Sequence, residues 1–467
     1  MLRKIRILLA AIFFVGITLL FVGIGHDWWG WMAKLQFLPS ALALNFAVLA
    51  FLLLVTFLFG RIYCSVICPM GVFQDLVLWI RRAGGKRFGK RKDFSYVKEH
   101  KWVRYAVLAL SLVSLVASGQ MLIALIAPYS AYGRVVRSVV GLASGSVALP
   151  LLVTGLVTLV VIFCCAWLWG REYCNTICPV GTTLSFVSRF SLFRPVIDAD
   201  KCKNCKACER TCRASCIDVA GHKIDYSRCV DCFDCLGSCK FDALHYRRAS
   251  GGRETAPKAE ADGGRRAFLA TGAFVGTALA AHAQDHMHGG FAEVLPKQNP
   301  ERGTRLVPFG AGSVRSFSDH CTACQLCVSA CPNGVLRPSS DFSHFLQPEM
   351  GYENGYCRPE CTACSQVCPA GAIRPVTPDQ KQTIQIGLAQ VDLALCFAAQ
   401  GKDSCGNCAY HCPSGAIRMV EHEGGEYLIP TVAEARCIGC GACENLCPSR
   451  PVSAITVHGI AVHHSNA

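Results

Sequence analysis

The hydrophobic pattern splits the chain into an apolar first part and a polar, cysteine-rich remainder. Four apolar stretches, at about residues 5–25, 41–60, 103–127 and 147–169, are long enough to cross a bilayer as helices. Polar stretches at 26–40, 61–104 and 128–146 separate them and read as loops. Beyond residue 170 the apolar pieces are short. Gly371-Ala372-Ile373 and Gly415-Ala416-Ile417, each just behind a cysteine, predict small strands. The pattern predicts a multidomain chain: an α-helical membrane bundle of four spans over 1–199, then two small α+β modules at 200–246 and 284–467.

Charge gives the bundle a direction. Residues 1–283 carry 34 Lys and Arg against 16 Asp and Glu, a net +18; residues 284–467 carry 12 against 16, a net −4. Within the bundle, 61–104 holds most of the basic residues, whereas 26–40 has only Lys34 and 128–146 only Arg134 and Arg137. The positive-inside rule then places the N-terminus and residues 170–264 in the cytoplasm. Trp28, Trp29 and Trp31 read as an interfacial aromatic belt at the outer surface. The basic residues flank apolar spans and are not interleaved with exposed aromatics, so nucleic-acid binding is not expected.

The chemistry lies in the cysteines, 31 in all. Cys202, Cys205, Cys208 and Cys212 are spaced C-x2-C-x2-C-x3-C, and so are Cys229, Cys232, Cys235 and Cys239. Four further runs follow: Cys321, Cys324, Cys327, Cys331; Cys357, Cys361, Cys364, Cys368; Cys396, Cys405, Cys408, Cys412; and Cys437, Cys440, Cys443, Cys447. Such runs hold thiolates for 4Fe–4S clusters, so six clusters are expected. Zinc ribbons do not need the third cysteine two residues on. Disulfide scaffolds are small and core-poor, unlike this chain.

In two-cluster ferredoxins the fourth cysteine of a run serves the other cluster. Over 200–246 that groups Cys239 with Cys202, Cys205 and Cys208, and Cys212 with Cys229, Cys232 and Cys235. Cys216 reads as a bystander thiol. In the last four runs a proline follows the final cysteine, at Pro332, Pro369, Pro413 and Pro448; over 200–246 Arg213 and Lys240 stand there instead. Because clusters would replace much of the core, little regular secondary structure is expected in 284–467.

A repeat marks the ends of the second and fourth spans. Gly60-Arg61-Ile62-Tyr63-Cys64-Ser65-Val66-Ile67-Cys68-Pro69-Met70-Gly71 and Gly170-Arg171-Glu172-Tyr173-Cys174-Asn175-Thr176-Ile177-Cys178-Pro179-Val180-Gly181 both read G-R-x-Y-C-x3-C-P-x-G. Cysteines four apart on a helix share a face, and the proline ends or kinks it. Cys64, Cys68, Cys174 and Cys178 are therefore redox-thiol or metal-ligand candidates, weighed against small packing residues. Cys164 and Cys165, inside the fourth span, read as packing thiols.

Residues 247–263 are small, charged and Gly-rich, a linker. Residues 264–283 open on Gly264-Arg265-Arg266, run through a mildly apolar stretch and close on Ala281-His282-Ala283. This has the form of a twin-arginine export signal, or a fifth apolar segment. His282, His286 and His288 read as solvated linker residues.

Residues 1–246, with two C-x3-C-P motifs and a two-cluster tail, resemble the NapH-type membrane ferredoxins. Residues 264–460, with an Arg-Arg leader, the C-x8-C-x2-C-x3-C-P run and Pro430-Thr431-Val432, resemble the NapG/MauM-type exported ferredoxins. In those families the two are separate subunits; here they are fused. The resemblance implies a quinol dehydrogenase component of the inner membrane, multi-pass, with 284–467 in the periplasm. Electrons would pass from membrane quinol to a periplasmic cytochrome or reductase such as nitrate reductase. It also implies that the first C-terminal run shares clusters with the fourth, and the second with the third.

No catalytic residue is assigned, and no haem, molybdopterin or nucleotide signature is found. His26, Asp27, His100 and Tyr129, near span ends, read as interfacial residues and do not define a quinol site. Two other functions fit the same residues: electron supply for metalloenzyme maturation, and cytoplasmic ferredoxin–quinone exchange.

Overall fold

The structure, a computed structural model, describes residues 1–85, 94–116, 120–144, 149–248, 288–289, 292–293, 295–422 and 426–465. The linker beyond residue 248, the Arg-Arg segment 264–283, His282 and His286 lie outside the described residues. His288 falls in the two-residue strand His288–Gly289.

The first and fourth apolar stretches form the helices Leu2–Val22 and Leu149–Trp169, both long and apolar enough to cross a membrane. Gly23 ends the first in a left-handed conformation, and its N–H bonds the carbonyls of Leu19 and Leu20. The second stretch is shorter than expected, Phe46–Phe59, with the Asn45 side chain capping the Val48 N–H. Within the third, Lys101–Val116 and Gln120–Ile126 are helical.

Two expected loops are helical. Residues 26–40 contain His26–Lys34 and the start of Phe37–Leu42, and 128–146 contain Pro128–Ser144. Their polar side chains interrupt the apolar pattern, but in the fold they satisfy buried backbone groups. Arg134 donates to the carbonyls of Ala124 and Leu125 at the end of Gln120–Ile126. Ser138 donates to Leu151, and the Tyr63 phenol accepts from the Phe37 N–H and donates to Gln36. Of the three tryptophans, Trp28 and Trp31 are exposed and Trp29 is half-buried against the core. Cys164 is exposed on its helix rather than packed.

The sequence repeat is the visible part of a larger one. Each copy runs through a long helical segment, shorter helices that fold back, an apolar helix, a cysteine turn and a helix begun by proline. The first copy ends Phe46–Phe59, Tyr63–Val66, Pro69–Gly85; the second ends Leu149–Trp169, the π-turn Tyr173–Ile177, Pro179–Ser188. The copies interlock. Pro69–Gly85 packs on Leu149–Trp169, and Pro179–Ser188 packs on Phe46–Phe59.

The two cysteine-rich modules sit at opposite ends of this bundle. At one end Arg3 and Arg82 pair with Asp234, the Leu192 N–H bonds the Phe57 carbonyl, and the Arg171 N–H bonds the Arg213 carbonyl. At the other end Ser329 donates to the Leu20 carbonyl, Gly371 approaches Ala43, and Ala323 and Leu346 pack with Ala124 and Leu151. The helix Leu2–Val22 thus meets the first module at its start and the second at its end.

In the first module Phe193–Ile197 pairs antiparallel with Leu244–Arg248, and Ile217–Asp218 with Lys223–Ile224. The second is more regular than expected. Ile384–Val391 pairs with the eleven-residue strand Ile455–Ser465 across a register shift. Leu336–Pro338 pairs with Pro348–Met350, and Ile417–Val420 with Ile429–Val432. Residues 371–373, expected as a strand, are bends. The core holds Phe309, Phe317, Tyr352, Ile386 and Val457 among the cysteines, so clusters and apolar side chains share it.

Candidate iron–sulfur sites and the bundle quartet

Four of the six runs share one backbone shape. The second residue after the first cysteine, and the first after the second, are left-handed: Asn204 and Lys206, Asp231 and Phe233, Ala323 and Gln325, Gly439 and Gly441. Non-glycine residues there cost roughly 1–2 kcal/mol each. These loops adopt that conformation at six non-glycine positions, so they are shaped for something that repays the strain. The third cysteine then opens a short helix in most runs, as Cys208 does in Ala207–Thr211 and Cys443 in Ala442–Leu446.

Partner thiols converge as the spacing predicts in the first module. Cys208 lies within electrostatic reach of Cys202 and Cys239, and Cys235 of Cys229, Cys232 and Cys212. A cavity is lined by Cys212, Cys216, Cys229, Cys232 and Cys235. Cys216 is not remote from it. Its Sγ lies 3.5 Å from that of Cys212, and it bonds Cys229 as well, a fifth thiol at this site.

In the second module the pairing of runs differs from the one the resemblance implied. Cys327 is surrounded by Cys321, Cys324, Cys368 and Cys364, and Cys364 by Cys357, Cys331 and Cys361. Cys443 faces Cys440, Cys437 and Cys412, while Cys408 faces Cys405, Cys447 and Cys396. The first run therefore exchanges its fourth cysteine with the second, and the third with the fourth. Adjacent runs fold together as local units, so the chain closes short loops rather than long ones. A cavity beside Cys396, Cys405, Cys408 and Cys447 marks the last group.

The thiol groups form a line. Tyr129, buried in the bundle against Phe21, lies beside Cys324 and Cys368. The group of Cys331, Cys357, Cys361 and Cys364 comes next, and the Cys357 N–H bonds the Cys440 carbonyl 2.9 Å away, joining it to the Cys437 group. The Cys396 group is farthest from the bundle in this sequence of contacts.

Burial pushes these thiols up, Cys364 and Cys440 to about 12. Iron reverses that preference, because a coordinated thiol is deprotonated outright. The strained loops, thiol-lined cavities and fourth ligands supplied across runs all fit 4Fe–4S clusters. Among the described residues no three His, Cys, Asp or Glu side chains converge closely enough to hold a single metal ion.

Sequence reasoning passed over Lys381. Its side chain is buried and donates to Cys357 Sγ at 3.2 Å and to the carbonyls of Arg358 and Cys361. It braces the widened C-x3-C loop. Lys381→Met removes a charged donor to that sulfur, so the potential of this cluster is expected to fall while the others hold. A redox titration followed by electron paramagnetic resonance checks this; an unchanged potential contradicts it.

Cys64, Cys68, Cys174 and Cys178 are brought together, each within electrostatic reach of the other three. They do not lie on long helices, as the spacing suggested. Cys64 sits in one α-turn and Cys174 in a π-turn, while Cys68 and Cys178 precede the prolines that begin the next helices. Around them the repeat exchanges contacts. Arg171 donates to the Cys64 carbonyl at 2.7 Å, and Arg61 to the Cys174 carbonyl at 3.0 Å. A Cβ at Gly71 or Gly181 would collide with those same carbonyls, which accounts for the final glycine of the motif.

Beside the quartet Asp75 accepts from Arg6, Arg171 and Arg213. Burial alone would raise its pKa, but the three guanidinium groups together hold the carboxyl well below the usual range. Of His26, Asp27, His100 and Tyr129, Tyr129 approaches the cluster cysteines Cys324 and Cys368.

These features define an iron–sulfur protein of the ferredoxin type. A 4Fe-4S binding domain model matches residues 42–91 and 151–197, and a 4Fe-4S dicluster domain model matches 320–372 and 403–450. The ferredoxin-type protein NapH of Escherichia coli K12 is 30% identical over 219 residues, 44% of this chain and 68% of that protein. An uncharacterized protein of Methanocaldococcus jannaschii is 30% identical over 197 residues, 42% of this chain and 67% of that protein. The methylamine utilization ferredoxin-type protein MauN of Paracoccus denitrificans is 30% identical over 177 residues, 38% and 56% of the two. The chain belongs to the NapH family of ferredoxin-type proteins. No solved structure matches.

Proposed function

We propose that this chain is a quinol-oxidising electron-transfer protein of the inner membrane, with six 4Fe–4S clusters shared between the two faces. The observation that carries this reading is the placement of the two cysteine-rich modules at opposite ends of an apolar helical bundle. The bundle crosses four times, through helices within 2–22, 41–60, 101–126 and 149–169. Its basic end, with Arg3, Arg6, Arg82, Arg171 and Arg213, faces the cytoplasm and holds the clusters of residues 202–239. Residues 264–283 act as a twin-arginine signal that carries 284–467 to the periplasm.

The cluster ligands are the cysteines grouped above: Cys202, Cys205, Cys208 and Cys239; Cys229, Cys232, Cys235 and Cys212; and the four groups of the second module. Quinol gives up two electrons and two protons near the bundle. The clusters accept the electrons singly and pass them along the line to a periplasmic cytochrome or reductase, to which the chain lends no terminal catalytic group. The net −4 of residues 284–467 favours a basic acceptor, with a rate that falls as salt rises.

The test is anaerobic addition of a quinol to the full chain in proteoliposomes. The visible absorbance of the clusters is expected to bleach, and a periplasmic acceptor to restore it. Clusters that stay oxidised under every quinol, yet are reduced by a soluble ferredoxin, would contradict quinol oxidation and favour electron supply in the other direction.

A further inference from the structure

The bundle quartet is not used by either ferredoxin-type module, and it occupies the gap between them. On one side Val230 and Cys232 of the first module pack into the same buried cluster as Cys64, Cys68, Cys174 and Cys178. On the other, Tyr63, Tyr129, Leu326 and Cys324 continue that cluster to the second module. Tyr63 follows Arg61 in the motif, and Tyr129 lies within reach of both Tyr63 and Cys324. Buried groups therefore run without interruption from the Cys229 site, through the quartet, to the Cys321 site.

The surroundings of the quartet are short of negative charge. Arg61 and Arg171 are fully buried beside it. Asp75 is shared among Arg6, Arg171 and Arg213. The Arg61 side chain contacts Asn175 Oδ1 at 2.9 Å, the Ser227 carbonyl at 3.0 Å, the Cys174 carbonyl, and Cys64 Sγ at 3.8 Å, while the nearby Asp231 carboxylate accepts from the Arg61 backbone N–H. A buried guanidinium without a direct ion pair is costly. Four thiolates on a cluster carry a net negative charge and would supply the missing partner. Gln74 adds a neutral donor, its Nε2 lying 3.3 Å from Cys174 Sγ.

From the four convergent thiols, their exchange of arginine contacts and their position between the modules, we infer that Cys64, Cys68, Cys174 and Cys178 ligate a further iron–sulfur cluster inside the bundle. Each repeat contributes two ligands. The centre takes one electron from a neighbouring reduced cluster and yields one to the next; no proton moves and no bond other than the metal–ligand set is involved. It makes the two modules one conductor across the membrane, which rests on the electron-transfer reading but not on quinol as donor.

The test uses the full chain, purified anaerobically in detergent. Iron and acid-labile sulfide are expected to exceed by about two to four atoms the complement of six four-iron clusters. In the iron-loaded protein the four thiols resist alkylation, and peptide mass spectrometry finds them unmodified until iron is removed under denaturing conditions. The double variant Cys68→Ala/Cys178→Ala loses one component of the reduced electron paramagnetic resonance spectrum and keeps the rest; Cys164→Ser, in the same domain, loses none. Arg61→Gln keeps the iron but moves the midpoint of that one component to a more negative potential, since a cation beside the cluster favours its reduced form. Where the double variant does not fold, alkylation of the unaltered chain and Arg61→Gln decide.

Ready alkylation of all four thiols with iron retained overturns the inference, and so do two disulfides in the oxidised chain. Either result leaves the proposed function standing. Clusters present in full but inert to quinol would sink that function and leave this centre in place.

Discussion

Cys321→Ala and Cys368→Ala are each expected to remove one cluster, about four iron atoms, and the double variant is expected to remove no more than either alone. The two cysteines lie in different runs, yet both surround Cys327. Residues that serve one site are not additive. Were the first run paired with the fourth, Cys368 and Cys321 would serve different clusters, and the double variant would lose about eight iron atoms. Iron and sulfide analysis of the three proteins therefore reads the pairing directly. The same lesion has the largest expected effect on transport. The Cys321 group is the one nearest Tyr129 and the bundle, so its loss separates the outer three clusters from their source. Reduction of the second module through the bundle should stop, while the clusters of residues 202–239 still titrate.

Asp75→Ala is expected to be the most damaging change outside the cysteines. Arg6, Arg171 and Arg213 each contact this one carboxylate, and all are buried. Breaking a buried pair costs roughly 3–5 kcal/mol because the remaining charge is left uncompensated. Here Arg6 and Arg171 lose their carboxylate partner while Arg213 keeps Asp234, and Arg171 also positions the Cys64 carbonyl. Detergent-solubilised protein should unfold at markedly lower temperature and lose iron sooner. The pH dependence has a fixed sign. The folded carboxyl titrates below its unfolded value, so the stability it contributes is present above the unfolded pKa and is lost as pH falls toward the folded one. Thermal unfolding of the parent and of Asp75→Ala at several pH values checks both statements; equal stability at neutral pH would contradict them.

The sequence made the cysteine runs legible because a cluster demands local spacing, and made the apolar helices legible because a bilayer demands length. What completes each cluster was less legible. Over 200–246 the rule of exchanged fourth cysteines had only two runs to pair, and the pairing followed. Over 321–447 four runs allow several pairings, and spacing does not distinguish Cys331 from Cys447 as the partner of Cys357. The helices Phe37–Leu42 and Pro128–Ser144 were hidden for another reason. Gln36, Arg134 and Ser138 look like loop residues until their buried backbone partners are seen. Asp75 and Lys381 are single charges in long segments, and nothing in their sequence neighbourhood signals that one meets three arginines and the other a cysteine sulfur.

Both cysteine-rich modules are built on the same loop shape, but they meet the bundle differently. The first is tied by ion pairs, Asp234 to Arg3 and Arg82, and Arg213 to Asp75. The second rests on apolar contacts, Leu326 and Val367 among them.

The side of the membrane on which residue 467 lies tests the central claim most directly. With a C-terminal tag and a second epitope replacing part of 219–223, protease is added to intact spheroplasts. The account predicts that the C-terminal tag is digested and the inner epitope is protected, and that replacing Arg265 and Arg266 by Lys reverses the first result. Protection of both epitopes in the unaltered chain would place every cluster on one face and contradict electron transfer across the bundle.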